Sequence, residues 1–227
     1  MSFLWNNDTE LFALAKQELF TALVGDVMDK MGLFHQFLPQ NLKPLDPKMV
    51  VIGRSMPVVE QDLPEIIPYE SLDKPFGLMF EALDQLKENE IYVCSGASPN
   101  YALWGGLMST RAIKLGAVGA IVNGMSRDTS QILGLGFPTF SLGTYAQDQG
   151  PRGKVVDYRI PVYLGGIKIS PGDIIFGDRD GVIVIPRESE KDVFTLAFEK
   201  ARGEKLVLKA LQNGMSTVEA YEKYGIM

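Results

Sequence analysis

The sequence predicts an α/β fold, and three features of its 227 residues support this class. Short β-branched runs alternate with amphipathic segments of helical period through the middle of the chain. Glycines follow several of these segments, where helices end and turns begin. Hydrophobic residues make up 46% and charged residues 22% of the chain, which is typical of a globular protein. We therefore expect one domain over residues 1–227, with an N-terminal helical segment and a C-terminal helical tail.

Hydrophobic periodicity places the predicted elements along the chain. Apolar residues at helical spacing from Thr9 to Met31 predict an opening helix or helix pair that ends at Gly32. The other predicted helices lie at 78–86, about 103–115, 129–133, about 188–212 and after Ser216. The predicted strands lie at 49–59, 91–94, 118–122 and 139–142, followed by short β-runs between 161 and 186.

Net charge and residue counts exclude several classes of function. The chain carries 22 basic and 28 acidic residues, a sum of −6, so a nucleic acid would be repelled and is not expected as a partner. The single cysteine, Cys94, and the single histidine, His35, exclude zinc sites built from several thiolates or imidazoles. No run reaches the ~20 apolar residues of a membrane span, and the N-terminal segment lacks the pattern of a signal peptide. We therefore expect a cytoplasmic protein with no membrane partner.

Arg127 and Asp128 form the most suggestive candidate site, because they follow a predicted strand and precede a predicted helix. In α/β folds, loops at the carboxyl ends of strands bind ligands, and a helix N-terminus there favours anions. The guanidinium of Arg127 would bind a carboxylate, and Asp128 would bind a divalent cation. The alternative is that Asp128 or Thr129 caps the following helix while Arg127 is a solvated surface residue.

Two other glycine-containing segments are weaker candidates. Gly105 and Gly106 stand at the start of a predicted helix, where the backbone either approaches a ligand closely or packs the helix against a strand. The acidic loop from Gly177 to Gly181 lies between two β-runs, and the turn preference of Asp and Gly explains it better than calcium binding does.

Several segments together resemble the RraA-like superfamily. They are Trp-Gly-Gly at 104–106, Asn-Gly-Met-Ser-Arg-Asp at 123–128, Gly-Gly-Ile-Lys-Ile-Ser-Pro-Gly-Asp at 165–173 and Gly-Asp-Arg-Asp-Gly-Val at 177–182. This superfamily contains the regulator of ribonuclease activity A, class II 4-hydroxy-4-methyl-2-oxoglutarate aldolases, and proteins labelled demethylmenaquinone methyltransferases. The resemblance covers about residues 20–224. It implies a three-layer β/β/α swivelling domain that assembles into a ring, a homotrimer or homohexamer with sites at the subunit interfaces.

The resemblance also implies a reaction. In the aldolase branch, Arg127 would bind the carboxylate of a small 2-oxo or 4-hydroxy-2-oxo acid, and Asp128 would bind Mg²⁺ or Mn²⁺. The activity would be that of a metal-dependent lyase, an aldolase or oxaloacetate decarboxylase, in which the metal stabilises a pyruvate enolate. The backbone amides implied to hold the same pyruvyl group are those of Gly105, Gly106, Leu107 and Met108.

One position departs from the aldolase pattern. The family places an acidic residue near the start of this helix, where the chain has Gly106. Three readings follow: Glu204 of a neighbouring subunit supplies part of the missing carboxylate chemistry, the substrate differs, or the chain is not an aldolase. The alternative function is a non-catalytic ring that regulates another protein, such as a ribonuclease. Dependence on magnesium separates the two functions, because only the enzyme needs the metal.

Overall fold

The structure is a computed structural model that describes residues 4–226. Within that range the strands are β1 (Lys43–Pro44), β2 (Val51–Asp62), β3 (Glu90–Ser95), β4 (Ala102–Trp104), β5 (Gly119–Val122), β6 (Met125–Ser126), β7 (Thr139–Ser141), β8 (Gly143–Thr144), β9 (Gly153–Tyr158), β10 (Val162–Leu164), β11 (Ile167–Ile169), β12 (Ile174–Gly177) and β13 (Val182–Ile185). The helices are α1 (Asp8–Glu18), α2 (Thr21–Lys30), α3 (Met79–Asp84), α4 (Gly106–Lys114), α5 (Thr129–Leu135), α6 (Glu190–Gln212) and α7 (Thr217–Tyr224), with a 3₁₀ turn at Tyr69–Ser71.

A mixed sheet forms the centre of the molecule, with the strand order β1-β7-β5-β3-β2-β12-β13. Strands β2, β3, β5 and β7 are parallel neighbours, whereas β1, β12 and β13 pair antiparallel with their neighbours. The long strand β2 pairs with β12 along its first part and with β9 along its last part. The predicted α/β class is confirmed, and the parallel part of the sheet is the part that leads to the candidate site.

The two faces of the main sheet carry different layers. One face packs against the helices, with Ile52, Phe176 and Ile185 against α1, α2 and α6, and Tyr92, Cys94 and Val122 against α3, α4 and α5. The other face packs against the β10–β11 hairpin, and its core contains Val93, Phe140 and Leu164. Side chains alternate between these faces along each strand, which explains why the central strands are buried on both sides. The predicted three-layer β/β/α arrangement is confirmed.

A second, smaller sheet contains β4, β6 and β8, all parallel. Strands β6 and β8 follow β5 and β7 almost directly, so this sheet continues from the carboxyl ends of the parallel strands. The prediction of one helix over about 103–115 was wrong at its start, because Leu103 and Trp104 belong to β4. The helix begins at Gly106, after Gly105 in extended conformation. Strand β9 also lies outside the predicted elements.

The opening segment forms the two helices α1 and α2, and a cluster of ion pairs joins α1 to the main sheet. Arg54 on β2 donates to Asp8 on α1, with Nη2 and Oδ1 2.5 Å apart, and also pairs with Glu190 on α6. The guanidinium of Arg54 additionally lies 5.9 Å from the ring centroid of Phe12. Three elements distant in sequence therefore meet at one partly buried cation. In residues 4–226 we find no helix with the length and apolarity that crossing a bilayer requires.

The acidic loop between β12 and β13 is a turn, as predicted, and its first aspartate has a structural role. Asp178 is buried, and its carboxylate accepts bonds from the amide of Thr21 at 2.8 Å and from the Thr21 hydroxyl at 2.7 Å. It also accepts from the amide of Asp180 at 2.9 Å. The carboxylate therefore satisfies donors at the N-terminus of α2, where negative charge is favourable.

We expect Asp178→Ala to destabilise the protein by about 1–3 kcal/mol, because the substitution leaves the buried donors of Thr21 unpaired. Urea denaturation followed by circular dichroism measures this change. The exposed Asp180 in the same turn provides a matched control, and Asp180→Ala should change stability by less than about 0.5 kcal/mol. Equal effects of the two substitutions would contradict the role of Asp178.

Candidate functional site

The candidate site lies where two short parallel strands end side by side. Trp104 at the end of β4 pairs with Ser126 at the end of β6. The next amide, that of Arg127, donates to the carbonyl of Trp104 at 2.9 Å. This pairing places the glycines that begin α4 beside Arg127 and Asp128, so the two segments singled out from the sequence form one site.

Asp128 connects the two segments directly. It stands at the N-cap position of α5 with φ 55° and ψ 35°, in the left-handed region that non-glycine residues seldom adopt. Its side chain makes no capping bond to α5 and instead accepts from the amide of Gly106, the first residue of α4, at 3.1 Å. Asp128 therefore occupies the N-cap position of α5, as the alternative interpretation expected, but its side chain does not cap that helix. Thr129 is already the first residue of that helix.

Arg127 is held by a carboxylate that the sequence analysis missed. Its Nη1 lies 2.8 Å from Oδ1 of Asp148, and its Nε lies 3.9 Å from Oδ2 of Asp128. Asp148 also accepts from the Tyr69 hydroxyl and from the amide of Gly150 at 3.3 Å. The interpretation of Arg127 as a merely solvated residue was therefore wrong. Asp148 lies in the loop after β8, so the rule that loops after parallel strands bind ligands could have found it.

A side chain at either glycine at the start of α4 would meet a different neighbour. A Cβ on Gly105 would stand 2.8 Å from Oδ2 of Asp128 and 3.5 Å from Cγ of Arg127, so glycine lets the site pack closely. A Cβ on Gly106 would overlap the side chain of Gln131 on α5. The place that the family gives to an acidic side chain is therefore filled by the Gln131 amide.

A cavity of about 320 Å³ opens over these residues. The side chains and backbone of Gly105, Leu107, Met108, Arg127 and Asp128 line it, together with Asp148 and Gln149. The first amide that bonds within α4 is that of Ser109, to the carbonyl of Gly105 at 3.0 Å. The amides of Leu107 and Met108 precede it and have no partner within the helix. The structure therefore brings together most of the predicted site residues.

Glu204 is not brought to this cavity within one chain. It lies on α6, where the ammonium group of Lys200 pairs with it and also lies 3.1 Å from Oδ2 of Asp26. The expectation for Glu204 concerned a neighbouring subunit, so its catalytic role stays a prediction.

The donor set at the site fits a magnesium ion that keeps much of its water. Within residues 4–226 no group of three or more His, Cys, Asp and Glu side chains could hold a metal. Mg²⁺ is commonly bound by one or two carboxylates, with water and substrate oxygens completing its coordination. Asp128 meets this requirement, because its side chain is 43% exposed and it lines the cavity. Asp148 fits less well, since Arg127, Tyr69 and Gly150 already occupy its oxygens.

A buried carboxyl group lies behind the cavity. Glu60 is 2% exposed, its Oε1 has no hydrogen-bond partner, and its Oε2 accepts from Nε2 of Gln149 at 3.4 Å. Burial, with a smaller contribution from the charge of Asp62, raises the pKa of Glu60 to about 8. The side chain is thus neutral at pH 7 and contacts the cavity through Gln149, which lines it.

Fold and site together define an α/β protein with a small-ligand cavity at the carboxyl ends of parallel strands. The family model described as RraA-like, Aldolase/RraA, matches residues 21–184, and the chain belongs to this family.

Two curated relatives differ in how much of their length the chain matches. A Halalkalibacterium halodurans protein named "Putative 4-hydroxy-4-methyl-2-oxoglutarate aldolase" is 29% identical over 202 residues, which cover 88% of this chain and 89% of that protein. Protein DlpA of Legionella pneumophila is 26% identical over 205 residues. That match covers 90% of this chain and 32% of Protein DlpA, so the chain spans about a third of that relative.

Two solved structures have the same fold. RraAS2 of Streptomyces coelicolor, described as an unusual member of the RNase ES inhibitor RraA family, superposes with a TM-score of 0.75 at 20% identity, covering 89% of this chain and 98% of that chain. A structure titled as novel cellulases from gut-associated microbes superposes with a TM-score of 0.79 at 32% identity, covering 88% and 87%. The first likeness supports the fold alone.

We expect Gly106→Asp by itself to bind a divalent cation no better than the unmodified protein, because the Gln131 side chain occupies the place of the new Cβ. The double substitution Gly106→Asp with Gln131→Ala adds the carboxylate and also removes the side chain that blocks it. It should tighten Mn²⁺ binding roughly 10-fold, which is the size of effect typical of residues beside metal ligands. Electron paramagnetic resonance of free Mn²⁺ measures the affinity. Gln131→Ala alone is the control, and equal affinity of the single and double variants would contradict this arrangement.

We expect the stability of the protein to fall between about pH 4.5 and pH 8 because of Glu60. Its raised pKa means that the folded state binds more protons than the unfolded state across this window, so the stability it contributes at low pH is lost as the pH rises. Glu60→Gln should remove an effect of about 4 kcal/mol between pH 5 and pH 9, measured by thermal unfolding at the two pH values. Glu65→Gln, at an exposed position, is the control. An equal pH dependence in all three proteins would contradict this assignment.

Proposed function

We propose that the chain is a divalent-metal-dependent lyase that acts on a small 2-oxo or 4-hydroxy-2-oxo acid, as an aldolase or decarboxylase. The observation that carries this proposal is the adjacency of Arg127, Asp128 and the first amides of α4 around one cavity. Relatives named as putative 4-hydroxy-4-methyl-2-oxoglutarate aldolases support the same class of reaction. The catalytic residues in this proposal are Arg127 and Asp128, with Glu204 of a neighbouring subunit.

The geometry of Arg127 suits carboxylate binding. Asp148 pairs with one terminal nitrogen of the Arg127 guanidinium, which fixes the plane of that group. The Arg127 side chain remains 38% exposed. A fixed planar group presents parallel N–H donors to a substrate carboxylate. Arg127 thus orients the acid end of the substrate, and the amides of Leu107 and Met108 supply further donors at the N-terminus of α4.

Asp128 is the residue that would hold Mg²⁺ or Mn²⁺. When bound, the metal would act as a Lewis acid toward the 2-oxo oxygen, which gains negative charge during the cleavage. The bond from the Gly106 amide fixes one oxygen of Asp128 and restricts its rotation. Gly105 allows this close packing, because its place would otherwise hold a Cβ beside the carboxylate.

The second candidate is a non-catalytic ring that regulates another protein. Gly106 favours this candidate, because the acidic residue of the aldolase pattern is absent and Gln131 fills its place. Both candidates include assembly as a homotrimer or homohexamer, in which Glu204 of one subunit approaches the site of the next.

We expect release of pyruvate from 4-hydroxy-2-oxo acids or oxaloacetate that stops on chelation of divalent metal and resumes when Mg²⁺ is added. Arg127→Lys should weaken substrate binding by roughly 1.5–3 kcal/mol, because an ammonium group keeps the charge but loses the planar pair of donors. A coupled lactate dehydrogenase assay measures pyruvate. Arg111→Lys on α4 alters an exposed pair with Asp84 on α3 and should leave the rate unchanged. Absence of metal-dependent pyruvate release from all these acids would favour the regulatory ring.

A further inference from the structure

We propose that the acid bound in this cavity has an apolar group, an aryl or branched alkyl chain, at the end opposite its 2-oxo carboxylate. The inference rests on the proposed function, since that function places the 2-oxo carboxylate at Arg127. It goes further because it names the chemical class of the remainder of the substrate. An acid with a second carboxylate at that end would then be a poor ligand.

The cavity has two chemically different ends. Its polar end contains Arg127, Asp128, Asp148 and Gln149. Its other walls come from α3, the segment before it, β4 and the first turn of α4, and they are apolar. The residues that form them include Phe76, Met79, Phe80, Leu83, Leu107 and Met108. A volume of about 320 Å³ lies at the lower end of the range for small-ligand pockets, so one compact group fits beside the pyruvyl portion.

The charges of the lining disfavour a second substrate carboxylate. Among the described residues that line the cavity, Arg127 is the single cation, whereas Asp128 and Asp148 are anions, a sum of 1 − 2 = −1. Arg152 lies close by, but it lines a neighbouring cavity, and its Nη1 donates to the carbonyl of Asp148 at 2.9 Å. A carboxylate against the apolar wall would lose part of its water without gaining a cation or a donor, which is unfavourable.

The aromatic part of the wall is suited to a flat apolar group. The rings of Phe76 and Phe80 pack edge to face, with their centroids 5.5 Å apart and their planes at 62°. Together they form an aromatic surface on this wall of the cavity. Phe80 is 54% exposed and Leu107 is 79% exposed, so both still have apolar surface to bury when a ligand binds. Burial of this surface favours ligands in proportion to the apolar area removed from water.

A matched pair of stable 2-oxo acids tests the inference without catalysis. 4-Phenyl-2-oxobutanoate and 2-oxoglutarate share the 2-oxo carboxylate and the two methylene groups, and differ only in a terminal phenyl or carboxylate group. Isothermal titration calorimetry of the full chain, with Mg²⁺ present and absent, should give at least 10-fold tighter binding of the phenyl compound. Equal binding, or tighter binding of 2-oxoglutarate, would overturn the inference.

Phe80→Lys is expected to reverse this preference, because it puts a cation at the apolar end on an exposed position that tolerates the change. The affinity for 2-oxoglutarate should rise severalfold while that for the phenyl compound falls. Phe34→Lys is the control, since Phe34 is 65% exposed and does not line the cavity. An unchanged preference in Phe80→Lys would place the tail elsewhere and overturn the inference.

Pyruvate release separates this inference from the proposed function. The two aldols to compare are 4-hydroxy-2-oxo-4-phenylbutanoate, which cleaves to one pyruvate and benzaldehyde, and 4-hydroxy-4-methyl-2-oxoglutarate, which cleaves to two pyruvates. The rates are therefore compared per bond cleaved. Faster cleavage of the dicarboxylate would overturn the inference and leave the lyase intact. Tighter binding of the phenyl acid without cleavage of either aldol would support the ligand class and reject the lyase.

Discussion

The parallel pairing of β4 with β6 is the constraint on which the site depends. The bond from the Arg127 amide to the Trp104 carbonyl makes both strands end at the same level. Helix α4 begins after β4 and helix α5 begins after β6, so the N-termini of the two helices lie close together. Asp128 joins them, because it begins α5 through its backbone and binds the first amide of α4 through its side chain. A shift of one residue in this pairing would separate the carboxylate from the amide.

The helices and most strands of the main sheet were predictable from hydrophobic patterns, whereas β1 and β9 of that sheet lie outside the predicted elements. The strands at 90–95 and 119–122 and the helices at 106–114 and 129–135 follow hydrophobic patterns of the expected period. Strands β4, β6 and β8 have only two or three residues each, too few to show any period, and their pairing depends on contacts distant in sequence. The buried position of Glu60 was unpredictable for a similar reason, since it lies where the pairing of β2 with β9 shifts register. Such irregularities redirect a side chain without leaving a sequence pattern.

Only some of the residues of the candidate site were predictable from the sequence. Arg127, Asp128 and the two glycines were recognisable because they adjoin a strand and a helix, where anion and ligand sites occur. Asp148 and Gln149 also lie in a loop after a parallel strand, but several residues beyond its end, and only the folded chain shows that they meet Arg127 and Glu60. The relation between Gly106 and Gln131 was also hidden, because the two residues lie on different helices. The family resemblance implies a missing carboxylate at Gly106, whereas the structure shows that the Gln131 side chain occupies its place.

The charge of the cavity lining bears on the proposed metal, on the substrate carboxylate and on the apolar group of the substrate. With the lining at −1, an anionic substrate meets net repulsion even though Arg127 attracts its carboxylate locally. A divalent cation at Asp128 would change the sum for the residues of this chain to −1 + 2 = +1, which would favour one substrate carboxylate more than two. Glu60 behind Gln149 adds no charge at neutral pH, since burial keeps it protonated. In this proposal the carboxylates that would hold the metal also disfavour a second acid group at the far end of the substrate, and the apolar wall would select the rest of the molecule.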